Sequence, residues 1–86
     1  MINYGYVCYR LTEQHLDILM YAACGYTNKR IALMLGIKER TIKNHFGNIF
    51  KLLDVDNRTS AVVIALHYAF IEIPEFLWES SLVKNN

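Results

Sequence analysis

Arg40, Lys43, Asn44, Gly47 and Lys51 recur at i, i+3, i+4, i+7 and i+11, a spacing that sets them on one side of an α-helix. Ile42, Phe46, Ile49, Phe50 and Leu53 recur on the opposite side as an apolar stripe. A merely solvated helix face mixes charge signs to gain i,i+4 pairs. Beyond Glu39 this one holds cations, an amide and a glycine, and no acid. Lysine and asparagine can bond base edges, flanking cations meet phosphates, and an α-helix fits the major groove of duplex DNA. The chemistry within reach of these residues is recognition of an anionic double helix.

Such a face works only if other elements hold it out. The spacing predicts a helix over about 38–53, preceded by a shorter one capped at Thr27 or Asn28 and ended by Gly36. In that shorter helix Ile31, Met34 and Leu35 should point inward and Lys29 and Arg30 outward. Ala32 is a small residue where two helices approach, Gly36 serves the turn, and Ile37 plugs the core, which is what a helix-turn-helix requires. An earlier helix starts at the Thr12 cap, presents Leu16, Leu19, Met20 and Ala23 at i, i+3, i+4 and i+7, and stops at Gly25. A later one follows the Asp56–Asn57 cap signals and runs from about Arg58 to Phe70 or Ile71. Pro74 then breaks the chain, and Phe76, Leu77, Trp78, Leu82 and Val83 suggest a short fifth helix. Residues 1–10 carry only a faint alternation of Tyr4, Tyr6 and Cys8. The fold expected is all-α: a four-helix helix-turn-helix domain over 11–71, between an N-terminal segment 1–10 and a C-terminal extension 72–86.

Composition agrees with one small domain. Eighty-six residues, 53% of them hydrophobic, suffice for a single core near the lower size limit. No apolar run reaches membrane-spanning length and no basic-then-apolar leader opens the chain, so a cytoplasmic location is expected. Cys8 and Cys24 stand alone, without a CxxC or a second pair, and read as reduced thiols. The near-neutral net charge of +1 hides an asymmetry. Residues 27–51 carry Lys29, Arg30, Lys38, Arg40, Lys43 and Lys51 against Glu39 alone, whereas 52–86 are net acidic. An anionic partner belongs in the middle of the chain.

Catalysis finds no support. His15 and His67 lie on different helices without a carboxylate at catalytic spacing, and His45 reads as a packed or phosphate-facing residue. Met20 and Met34 read as core filler. No serine, cysteine or carboxylate pair has a base at a suitable spacing. Neither an enzyme nor a cofactor or metal is expected.

Residues 11–62 resemble the DNA-binding domain of LuxR-type regulators, found also in NarL-type response regulators and in the spore regulator GerE. The matching marks are Leu11-Thr12, Gly25, Thr27-Asn28-Lys29, Ile31-Ala32, Leu35-Gly36-Ile37, Thr41-Ile42-Lys43, His45, Asn48-Ile49, Val55, Arg58 and Ala61-Val62. The resemblance implies a four-helix domain that binds operator DNA as a homodimer, its third helix in the major groove and its fourth at the dimer contact. It implies base reading by Lys43 and Asn44, and backbone contacts from Thr27, Asn28, Lys29 and Thr41, with Arg58 near the phosphates. Arg30, Lys38, Arg40, His45, Gly47 and Lys51 complete the expected DNA-binding set. A helix N-terminus at Thr27 and Asn28 would also offer free N–H groups to a phosphate. The reading that competes is a protein-interaction module that pairs with a full-length LuxR-type regulator and inhibits it. A larger regulator of that type or RNA polymerase are the further candidate partners. With no receiver domain or ligand pocket in its first ten residues, the sequence reads as a stand-alone regulator or an isolated output domain.

Departures from the family pattern carry expectations of their own. His15 replaces the usual glutamate at the third helical position, so a reciprocal capping box should be lost. Lys38 replaces a serine or threonine cap, Leu52 a frequent lysine, and Gly47 a third groove-facing side chain. In the last helix Ala61, Val62, Ala65 and Ala69 should pack inward. That leaves Val63, Ile64, His67, Phe70 and Ile71 for a dimer interface, with the C-terminal extension as added apolar cover.

Overall fold

The computed structural model describes residues 2–75. These form five α-helices: α1 (Tyr4–Val7), α2 (Glu13–Ala23), α3 (Asn28–Leu35), α4 (Glu39–Leu53) and α5 (Arg58–His67), with a 3₁₀ turn over Cys8–Arg10 between the first two. No strand occurs among the described residues. The all-α expectation holds. The expected fifth helix around Phe76–Trp78 lies outside the described residues.

Every α-helix except α4 starts at a side chain that satisfies one of its free N–H groups. Thr27 Oγ1 accepts from the Arg30 N–H at 3.2 Å and Asn57 Oδ1 from the Ser60 N–H at 2.8 Å. Lys38, at the start of α4, makes no side-chain cap. The stops share one device. Gly25, Gly36, Asp54 and Ala69 all have positive φ. In each case the next N–H closes back on the carbonyl five residues earlier: Tyr26 to Tyr21, Ile37 to Ala32, Val55 to Phe50, Phe70 to Ala65. These are Schellman closures. Glycine does this without strain at two of the four sites; Asp54 and Ala69 do it against their intrinsic preference.

Ala69 is why α5 stops at His67 and not at Phe70 or Ile71 as the sequence suggests. The reversal also moves side chains. Ile71 returns into the protomer core, 8% exposed, and Phe70 packs half-buried beside it. Ile71 therefore leaves the expected interface set, and Ala69, expected inward, is exposed.

Two further expectations shift. In α2 the buried row is His15, Ile18, Leu19 and Ala22, so the inward stripe is rotated relative to Leu16, Leu19, Met20 and Ala23. Leu16 and Met20 flank it and, with Asp17, line a shallow groove against Phe70, Ile71 and Glu72. In α3 Ile31 and Ala32 are buried, whereas Met34 is solvent-exposed together with Leu33. Met34 is thus not core filler.

The N-terminal segment is also more than a leader. Asn3 caps α1 by accepting from the Tyr6 N–H, Val7 and Leu11 join the core, and the Tyr4 hydroxyl donates to the Leu53 carbonyl at 3.2 Å. The Tyr4 ring lies 4.9 Å from that of Tyr68. Residues 4–11 thereby tie the end of α4 to the end of α5.

His15 overturns the expected loss of the capping box. Its N–H donates to Thr12 Oγ1 at 3.1 Å, and its Nδ1 accepts from the Thr12 N–H at 3.2 Å. A neutral imidazole nitrogen accepts as a carboxylate would, so the box closes with histidine in place of glutamate. The price is a requirement for neutrality, since an imidazolium has only donors. His15 is buried, and from α4 the facing titratable group is His45, its ring 5.4 Å away and edge-on. Burial first, and the nearby His45 second, hold the His15 pKa below its ordinary 6.5. The unfolded chain then binds the proton more readily, so stability is full above pH 6.5 and is lost as pH falls through the depressed folded value. Urea midpoints at pH 7.5 and 5 should differ accordingly. His15→Gln, which keeps an acceptor, should flatten that difference; an unchanged difference would assign it to other groups.

Candidate nucleic-acid interface

The helix-turn-helix is α3, the turn at Gly36–Lys38, and α4. Ile42, Phe46, Ile49 and Leu53 form the buried row of α4, and half-buried Phe50 borders it. With that row fixed against the core, the opposite side must face solvent. Arg40, Lys43, Asn44 and Lys51 are all exposed there, and Gly47 lies between them with partial exposure. From Arg40 to Lys51 the face extends about 16 Å at an α-helical rise. Asn48 is exposed on the same side, a second amide that is one of the family marks but stands outside the expected DNA-binding set. Its signal was available, since it follows Asn44 by one helical turn.

Gly47 is helical and open. A Cβ built there meets nothing within 4 Å. Gly47→Ala should stabilise the domain by up to ~1 kcal/mol, the helix-interior difference between the two residues, read as a rise in melting temperature. A fall would show that the backbone there resists an ordinary side chain.

The flanking cations divide into two groups. Lys29 and Lys38 are exposed. Arg30 is exposed but lies over the Tyr26 ring at 4.3 Å, and Tyr26 in turn stacks on Tyr21 at 5.1 Å. Arg58 is different: its guanidinium is directed into the protomer. It donates to Asn28 Oδ1 at 2.7 Å and to the Tyr26 carbonyl, and it sits 5.0 Å from the Phe46 ring centroid. Burial lowers its pKa, yet a guanidinium stays charged throughout the range in which proteins fold. Thr27 Oγ1 is occupied as a cap, Asn28 Oδ1 as the acceptor for Arg58, and Thr41 and His45 are half-buried at the edge of the face.

The expected interface residues on α5 also divide. Val63 and His67 are exposed, joined by Leu66 and Tyr68, which the sequence reading had not included. Ile64 is half-buried against the protomer's own core. Cys8 and Cys24 are free thiols. Among the described residues no group of three or more His, Cys, Asp or Glu could hold a metal ion, and no helix is long and apolar enough to cross a membrane.

A short helix packed across a tight turn from a longer one, whose outward face is cationic and amide-bearing, defines a helix-turn-helix DNA-binding domain. The comparisons give it a family. Residues 9–65 match the family described as GerE, bacterial regulatory proteins, luxR family, and the chain belongs to it. The response regulator protein VraR of Staphylococcus aureus is 40% identical over 62 residues, which cover 72% of this chain and 30% of VraR. VraR of Staphylococcus epidermidis and of Staphylococcus saprophyticus match to the same extent. The chain thus corresponds to under a third of the length of these relatives. The solved structure of the transcription factor GerE superposes with a TM-score of 0.70 and 28% identity, over 74% of this chain and 96% of GerE. The chain carries the DNA-binding domain of a family of transcription regulators, not of enzymes.

Proposed function

We propose that the protein binds operator DNA sequence-specifically as a homodimer, with α4 in the major groove of each half-site. The single observation that supports this most is the outward face of α4, where Arg40, Lys43, Asn44 and Lys51 stand exposed together without an acid. In this reading Lys43 and Asn44 read bases, with Asn48 as an added candidate. Arg40, Lys51, Lys38 and Lys29 meet phosphates, and the α3 N-terminus behind Thr27 offers backbone N–H groups. Arg30, Thr41 and His45 border the contact, and Gly47 lets the backbone come close to the groove wall. The dimer forms through the exposed side of α5, at Val63, Leu66 and His67, because two-fold operators favour a self-complementary contact. The protein acts in the cytoplasm, where its DNA is, and regulates transcription there.

The base-reading and phosphate roles separate experimentally. Lys43→Ala should cost ~1–3 kcal/mol on a selected operator and little on random duplex. Lys29→Ala should weaken both DNAs alike and reduce the salt slope by about one unit. Equal losses on both DNAs for Lys43→Ala would remove it from base reading. Binding to a full-length luxR-family regulator without any duplex binding would favour the inhibitory module instead.

A further inference from the structure

Arg58 is the first residue of α5, a position where an exposed arginine would be read as a phosphate contact. Its three partners say otherwise. They lie on the first residue of α3 (Asn28), on the turn leading into α3 (Tyr26) and on the buried row of α4 (Phe46). One planar guanidinium therefore donates along its edge to two oxygens while its carbon sits over an aromatic ring. These directions are mutually compatible only for a flat fork; an ammonium is a point donor without such a face. Both terminal nitrogens are engaged inside the protomer. The contacts also join segments far apart in sequence: the α2–α3 turn, the α3 N-terminus and the middle of α4.

We infer that Arg58 is a positioning residue for DNA recognition: its guanidinium sets the α3 N-terminus in register with α4, and it does not itself neutralise a phosphate. The inference rests on the reading of α4 as the base-reading helix and deepens it. If α3 carries the backbone contacts and α4 the base contacts, their relative placement decides whether both are made at once on a specific site. On random duplex the cations can meet phosphates in many placements, and the alignment matters little.

The test uses the full chain with Arg58→Lys and Arg58→Gln. Each is titrated on a selected operator and on random duplex across a salt series, at a temperature well below melting. The positioning role predicts that both variants lose operator affinity on the order of tenfold, within the coupling that residues in contact show. Random-duplex affinity and the salt slope should stay at the wild-type level. Lysine, though cationic, should not rescue. A phosphate contact predicts the reverse: Arg58→Lys binds as wild type, and Arg58→Gln loses about one unit of salt slope on both DNAs. That result would overturn the inference. Should Arg58→Lys fail to fold, Phe46→Leu removes the ring under the guanidinium and keeps an apolar core residue. It should lower operator preference with an unchanged salt slope, and an operator preference that survives it overturns the inference. A wild type with no sequence preference would be seen before any variant is made. It would overturn the DNA-recognition reading, and this inference with it.

Discussion

Val63→Glu should give a folded monomer whose affinity for a two-half-site operator falls by about 10²–10⁴-fold, the contribution of effective concentration when two linked sites become one. Val63 is 57% exposed and Leu66 43% exposed, and His67 follows on the same side at i+4. An apolar stripe that the described residues leave uncovered marks a candidate contact surface. In a two-fold contact the same patch faces itself, so one substitution places two carboxylates opposite each other. The protomer itself should tolerate the change, because Val63 lies outside the core cluster. Ile64→Lys, the substitution that the sequence alone suggests, is less clean, since Ile64 packs against that core and its loss mixes folding with pairing. Light scattering and an anisotropy titration on the same samples check both halves of the expectation. A dimer that persists in Val63→Glu would move the interface away from this side of α5.

Phe46→Ala should cost ~3–5 kcal/mol of stability, the range for emptying an aromatic site in a core. Phe46 is buried on α4, its ring centroid 5.7 Å from that of Phe50 and 5.0 Å from the Arg58 guanidinium. The substitution thus removes apolar burial and strands a partly desolvated cation in one step. For a domain of this size each kcal/mol moves the melting temperature by ~4–8 °C, so thermal unfolding by circular dichroism would register the loss plainly. Since small domains hold only ~5–15 kcal/mol in total, the variant should be partly unfolded at warm temperatures. A cost under ~1 kcal/mol would mean that the α4 row does not carry the core.

Patterns with local causes were legible in the sequence. Ile42, Phe46, Ile49 and Leu53 fixed which way α4 faces, Thr12, Thr27 and Asn57 marked starts, and Gly25 and Gly36 marked stops. The misses have physical reasons. Ala69 in a left-handed conformation ends α5, and alanine is otherwise the best helix former, so nothing local announces the stop. In α2, Leu16, Ile18, Leu19 and Met20 give two overlapping apolar rows, and only packing selects one. α1 is too short, and too rich in tyrosine and glycine, to show a period; its place depends on Leu53 and Tyr68, far along the chain. His15 departs from the glutamate of the usual capping-box pattern, whereas the cap needs only an acceptor. The family resemblance sets Arg58 near the phosphates by position alone, and its partners at Tyr26, Asn28 and Phe46 are visible only in three dimensions.

DNA-sequence reading by the outward face of α4 is the property on which the proposed function depends. Its most direct test is selection of bound duplexes from a random pool by the wild-type protein. Titration of the winning duplex and of a shuffled one at a stated, physiological salt concentration then gives the preference. The expected result is a two-fold symmetric consensus, bound at least ~10³-fold more tightly than the shuffled duplex, as specific regulators do, with that preference reduced by Lys43→Ala. A pool that yields no consensus, with equal affinity for the two duplexes, would contradict it.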